Sequence, residues 1–396
     1  MVSHLVPESF EHSFDQLHDA VIAETGFDQF GPADYHEGLR VLLESMDRDP
    51  QFSIAGRQRA WAMVRKTLAA RAIAIDSMAR NPLFSEVQVT APVVIFGLPR
   101  SGTTALHRLL MEDPAFQGLE AWLLDSPMPR PSREAWSAHP AFQSMVAELE
   151  ARYALTPDKK VAHEVIADQV HECCMLLRQS FASNILSCAW SAPTYDTWWQ
   201  DCDEQAAYGH YHRCVQVIGL NDQRRWLLKN PGHVHQLDLL LDRFPDACLI
   251  QCHRDPAAAV PSLCSLLMRS HPTWEDSDPN DRAGRMVRRE VEKWALGVER
   301  AALVRAERCP RVLDIHHSDF HSDPWGVVRK IYQHIGMPLS DVARRNIAHR
   351  LEQKPELARG PHHYAVSDFN ISASEIRERF SSYLKHYDIE PIAGLA

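Results

Sequence analysis

The stretch from residue 93 to 111 constrains this chain more than any other. Val93, Val94, Ile95 and Phe96 form a short, continuous apolar run, the pattern of a strand buried in a parallel sheet. Gly97-Leu98-Pro99-Arg100-Ser101-Gly102-Thr103-Thr104 follows at once, and residues 105–111 read as helix. Strand, glycine loop and helix in that order open an α/β sheet. The loop has a Gly-x4-Gly frame, in which the backbone folds tightly around an anion. The N–H groups of Ser101, Gly102, Thr103 and Thr104 then point at a phosphate, at the positive end of the following helix.

One departure narrows the ligand. A loop that cradles a nucleoside triphosphate has Lys after its second glycine, then Ser or Thr. Here Thr103 takes the lysine position and the cation is Arg100, inside the loop. Such a loop suits one 5'-phosphate with a cation beside its leaving oxygen, rather than a β,γ-phosphate pair with Mg2+.

Three later segments, 225–228, 248–252 and 311–315, read as further strands of the same sheet, with a helix over about 234–243 between the first two. Longer helical stretches are expected over 141–153, 161–186, 282–308 and 324–335. Residues 1–86 read as an N-terminal helical arm, with Leu39, Leu42, Leu43 and Met46 at helical spacing and Pro82 ending a longer helix. The expected fold is therefore α/β: a P-loop-like parallel sheet flanked by helices over 87–396, with the helical arm before it and helical insertions around 120–215. The arm also offers a face for a homodimer contact. The polar, proline-containing segment 270–281 is a candidate mobile lid or acceptor loop.

Composition removes several function classes. A formal net charge of -10 gives no general footprint for nucleic acid or an anionic membrane, so an anionic ligand must be held by local devices. The N-terminus lacks the basic and apolar regions of a signal peptide, and no apolar run approaches the ~20 residues that span a bilayer. Nine cysteines are scattered with no CxxC pair, which excludes zinc-ribbon and thioredoxin readings and fits reduced thiols in a cytoplasmic setting. The pairs His210/His212, His233/His235, His316/His317 and His362/His363 lack a matching third ligand and HExxH is absent, so no metal site is expected.

Two further motifs agree with the loop. Arg254 follows the strand run 248–252, and Ser262 stands eight residues later on the next helix. An arginine and a hydroxyl so placed give charge-assisted contacts to a second anion. Lys229 lies just past the 225–228 strand. With these residues in view, Pro99-Arg100-Ser101-Gly102-Thr103-Thr104 resembles the 5'-phosphosulfate loop of sulfotransferases that use 3'-phosphoadenosine 5'-phosphosulfate (PAPS). It is closer to the tyrosylprotein type and to a large bacterial, mycobacterial-type group than to the cytosolic type, whose loop uses Lys.

The resemblance implies that Arg254 and Ser262 bind the 3'-phosphate, which is what separates PAPS from ATP. It implies that Lys229 faces the sulfuryl group, and that Arg359 and Gly360, in Arg359-Gly360-Pro361-His362-His363-Tyr364, close on the 3'-phosphate. The implied reaction moves a sulfuryl group from PAPS to a hydroxyl of a small-molecule or lipid acceptor, releasing adenosine 3',5'-bisphosphate (PAP), with no metal required. A base must take the hydroxyl proton. His233, close after Lys229, is the first candidate; Glu120, twenty residues after Arg100, is the second and His163 the third. His163-Glu164 and His171-Glu172 read first as a polar helix face or an acceptor-site wall. Two rivals stay open: a non-catalytic PAP-binding protein of the same fold, and a P-loop kinase.

Overall fold

The structure, a computed structural model, describes residues 5–157, 164–308, 310–353 and 369–392. Five parallel strands form one sheet in the order β2-β3-β1-β4-β5. They are β1 (Val93–Gly97), β2 (Phe116–Gln117), β3 (Arg225–Lys229), β4 (Cys248–His253) and β5 (Val312–His316). β1 is central, with Ile95 opposite Lys229 on one side and Gly97 opposite Cys252 on the other.

Side chains alternate across a strand, and here both faces are covered. Val93, Ile95, Leu227 and Ile250 pack with Leu106, Leu109, Val328 and Ile331, under the helices Thr103–Leu110 and Pro324–Ile335. Val94, Phe96, Leu228 and Leu249 face the opposite way, against the helices Gln205–Ile218, Leu237–Arg243, Pro256–Met268 and Pro279–Arg308. Two-sided burial is why these strands read as continuous apolar runs. The chain passes from β1 to β3 on one side, then crosses to β4 on the other. In open parallel sheets such a reversal leaves a crevice at the carboxyl ends of the strands, where ligands bind. The 97–104 loop lies there.

The N-terminal helices Phe14–Thr25, His36–Arg48 and Ile54–Arg80 build a second core, in which Trp61, Val64 and Leu68 meet Phe181, Trp190 and Tyr195. Ser53 caps the longest of them, accepting from the Gly56 N–H at 2.9 Å. Among the described residues no helix is long and apolar enough to cross a membrane.

One expectation needs correction. Residues 164–186 do not continue a single helix. Their first part runs beside 119–122 and is bonded sideways: Ala121 N–H to Gln169 O at 2.9 Å, His171 N–H to Leu119 O at 2.8 Å, and Cys173 N–H to Lys229 O at 2.9 Å. Only short turns follow, including Cys174–Leu177 and Asn184–Ser187, and Phe181 between them has φ +52°. The 270–281 segment, the candidate lid or acceptor loop, is docked at Trp274 and Glu275. Trp274 packs on Trp190 with ring centroids 5.3 Å apart, its carbonyl accepts from Ser53 N–H at 3.0 Å, and the carboxylate of buried Glu275 accepts from Ser191 N–H at 2.6 Å.

Burial also sets a pH limit on stability. His107, His233 and His235 are buried, and desolvation holds each at about 3. The unfolded chain, with imidazoles near 6.5, therefore binds more protons than the folded chain between about pH 6.5 and 3. The contribution of these histidines is full above pH 6.5 and is lost as pH falls through that window, by up to about 1.4 kcal/mol per pH unit for each. Thermal melts are expected to show Tm falling steeply from pH 7 to pH 5; a flat Tm there would contradict the neutral buried histidines.

Candidate active site

The loop after β1 is shaped by backbone that only glycine tolerates. Gly97 has φ +132°, and a Cβ there would lie 2.2 Å from the Cys252 carbonyl oxygen of β4. Gly102 has φ +90° and starts the Thr103–Leu110 helix, its carbonyl accepting from Leu106 N–H at 3.0 Å. Between them Arg100 holds φ +64°, a conformation that costs a side-chain-bearing residue about 1–3 kcal/mol and that gathers at ligand sites. The Ser101 hydroxyl braces the turn by donating to the Leu98 carbonyl at 2.6 Å. Pro99, Ser101 and Thr103 are buried within the loop, while Arg100, Gly102 and Thr104 remain partly open.

β4 delivers the second group. Asp255 caps the Pro256–Met268 helix through the Ala257 N–H at 2.9 Å, with Pro256 at its first turn. The residue before this cap is Arg254, which donates from Nη1 to the Arg100 carbonyl at 2.7 Å. Arg100 Nε donates to the Ser262 hydroxyl at 3.2 Å. Arg100, Arg254 and Ser262, which are far apart along the chain, thus stand together at the loop.

β3 delivers the third. Lys229 is buried at the strand end, where Nζ donates to the Thr104 hydroxyl at 3.1 Å and pairs closely with the Glu172 carboxylate. Glu172 reaches this position because Cys173, its neighbour, is bonded to the Lys229 carbonyl.

Of the other sequence candidates, His233 follows β3 near enough to feel the Glu172 charge, while Glu120 lies away from the loop. His233 is fully buried; its Nδ1 pairs with the Tyr208 hydroxyl at 2.8 Å, and its Nε2 has no partner among the described residues. Glu120 is buried and accepts from Arg130 Nε and Nη2 at 3.2 and 3.1 Å, while Arg130 also holds Asp222 at 2.9 Å. These three line a cavity of about 770 Å³ beside Pro114, Phe116 and Arg224, at the amino ends of β2 and β3 and away from the phosphate loop. Arg359, Gly360 and His163 lie outside the described residues. Among the described residues no cluster of three or more His, Cys, Asp or Glu side chains is arranged to hold a metal ion.

Two neighbours of the site were named in the sequence without being placed at the loop. Glu172 is one. The other is His317, just past β5: a Cβ on Gly102 would lie 3.5 Å from its ring, and burial together with the Arg254 cation pushes its pKa down to about 3. Only the folded chain brings them to the loop.

Comparison with known proteins identifies the family. The model of the sulfotransferase family matches residues 92–341, a span that holds the loop, Lys229, Arg254 and Ser262. The chain belongs to the sulfotransferase family. Two mycobacterial sulfotransferases of known structure share its fold over nearly its whole length. STF1 of Mycobacterium tuberculosis H37Rv is 32% identical with a TM-score of 0.85, over 95% of this chain and 100% of that one. STF9 of Mycobacterium avium is 25% identical with a TM-score of 0.86, over 95% of this chain and 97% of that one. The omega-hydroxy-beta-dihydromenaquinone-9 sulfotransferase Stf3 of Mycobacterium bovis is 29% identical over 261 residues. That match spans 62% of this sulfotransferase-family chain and 63% of the relative's length.

Proposed function

We propose that this chain transfers the sulfuryl group of PAPS to a hydroxyl of a lipid or other small-molecule acceptor and releases PAP. The observation that carries the reading is the meeting of Arg100, Arg254 and Ser262 at a phosphate-type loop whose Thr104 is bonded to Lys229. The loop and Arg100 suit the 5'-phosphate, and Arg254 and Ser262, each bonded to Arg100, suit the 3'-phosphate. Arg359 and Gly360 are assigned to the same 3'-phosphate on sequence grounds. A lipid alcohol is favoured because the Mycobacterium bovis relative is named for a hydroxylated menaquinone. The described cysteines are free thiols, which suits a reducing, cytoplasmic setting.

PAPS supplies a sulfuryl group on a phosphate leaving group. The loop N–H groups, Arg100 and Lys229 stabilise the negative charge that grows on that phosphate. The base is assigned to Glu172. It sits on Lys229 and its side chain is 20% exposed, so an acceptor hydroxyl can reach it. His233 is 0% exposed, and an imidazole held at about 3 is a weak proton acceptor at neutral pH. Glu120 lies in the separate cavity away from the phosphate loop, paired with Arg130.

Isothermal titration without added metal tests the donor site. PAP is expected to bind more tightly than 5'-AMP, and Arg254→Ala is expected to reduce that preference about 10- to 100-fold, the worth of one hydrogen bond to a charged group. Equal affinity for PAP and 5'-AMP, or binding of ATP only with Mg2+, would overturn the reading.

A further inference from the structure

The last described segment, 369–392, grips both neighbours of Arg254. On one side is His253, fully buried at the end of β4. Its Nδ1 meets the Tyr383 hydroxyl at 3.0 Å and its Nε2 meets Asp314 at 2.8 Å, while its ring stacks on Tyr387 with centroids 4.2 Å apart. Asp314 is in turn held by Arg305 through both oxygens, at 2.7 and 2.9 Å. On the other side is Asp255, whose Oδ2 accepts from Arg377 Nη2 at 2.8 Å and from the Ile392 N–H at 2.8 Å. The remaining oxygen of Asp255 caps the helix that carries Ser262. The Arg254 N–H itself bears on the Tyr383 hydroxyl.

These bonds do not touch the loop or the anion seats. They set the backbone on either side of Arg254 and the start of the helix bearing Ser262, the two groups assigned to one phosphate. A carboxylate held by an arginine and by backbone N–H groups at once has little freedom to rotate, so the cap and the strand end are fixed relative to each other. No bond of the clasp reaches the 5'-phosphate loop directly.

We infer that segment 369–392 is a clasp that positions the 3'-phosphate subsite, with Arg377 and Tyr383 as positioning residues that set specificity for a 3'-phosphorylated nucleotide. The inference rests on the donor-site reading above.

The test compares PAP with 5'-AMP by titration calorimetry on the full chain and on Arg377→Gln, Arg377→Lys and Tyr383→Phe, with a thermal melt of each. Arg377→Gln is expected to cut the PAP-over-5'-AMP preference about tenfold, with 5'-AMP affinity changed less than twofold. Arg377→Lys is expected to restore part of that preference, and Tyr383→Phe, which keeps the ring, to cut it about threefold. If PAP and 5'-AMP weaken together, or the variants keep the wild-type preference, the clasp has no such role. If the wild-type chain itself shows no preference for PAP, the donor-site reading fails first and takes the clasp with it.

Discussion

Replacing Lys229 with Met is expected to lower kcat for sulfuryl transfer by about 10²- to 10³-fold, the usual cost of removing one charge-stabilising donor from a transition state. PAP affinity is expected to change far less. Lys229 is buried at the end of β3, and its ammonium is held over the phosphate loop by the Thr104 hydroxyl and the Glu172 carboxylate. Charge on the leaving oxygen grows between bound PAPS and the transition state, so the loss falls on kcat; in bound PAP the charge is spread over the phosphate oxygens, which the loop N–H groups and Arg100 still hold. Methionine keeps the length and apolar stem of the side chain, and Glu172, being partly exposed, remains hydrated without its cation. Steady-state transfer from PAPS, set beside the PAP dissociation constant and a thermal melt, checks this. A fall in kcat below fivefold, or a loss of PAP affinity as large as the loss of rate, would remove Lys229 from the chemistry.

The sheet was legible because its inner strands are buried on both sides. Val93, Val94, Ile95 and Phe96 divide between two cores, so all four are apolar and the run is continuous. The loop was legible because Gly97 meets the β4 backbone and Gly102 takes a positive φ, demands that restrict residue type at those positions. β2 was not legible, since two residues, Phe116 and Gln117, carry no period. The 164–173 segment has residues that suit a helix, yet its backbone is bonded to Leu119 and Ala121, far away in sequence. That pairing decides where Glu172 stands, which is why a local reading left it open between a polar helix face and an acceptor-site wall. His233 shows a related limit: an imidazole close after Lys229 looks like a base by spacing, and only burial reveals that its proton affinity has collapsed. Local pattern specifies elements; it does not specify which side chains from distant segments share one wall of a crevice.

Glu172→Gln separates these candidates for the base. Glutamine keeps an acceptor oxygen for Lys229 and the same shape, so the fold and the phosphate loop are expected to survive and PAP affinity to stay within about threefold of wild type. Without a carboxylate to take the acceptor proton, kcat is expected to fall by about 10²- to 10⁴-fold, the range that general base catalysis supplies. Glu120→Gln acts on a different object. It weakens a buried pair with Arg130 whose loss costs roughly 3–5 kcal/mol, and this shows first as a lower Tm. His233→Gln likewise leaves the Tyr208 hydroxyl to find a new partner in the core rather than removing a proton acceptor from the crevice. Transfer rates per folded molecule, with each variant's folded fraction read from its melt, therefore divide the three residues by mechanism. If Glu172→Gln keeps its rate within threefold while His233→Gln loses a hundredfold, the proton goes to the buried imidazole, and the Lys229–Glu172 pair serves only to hold the lysine over the loop.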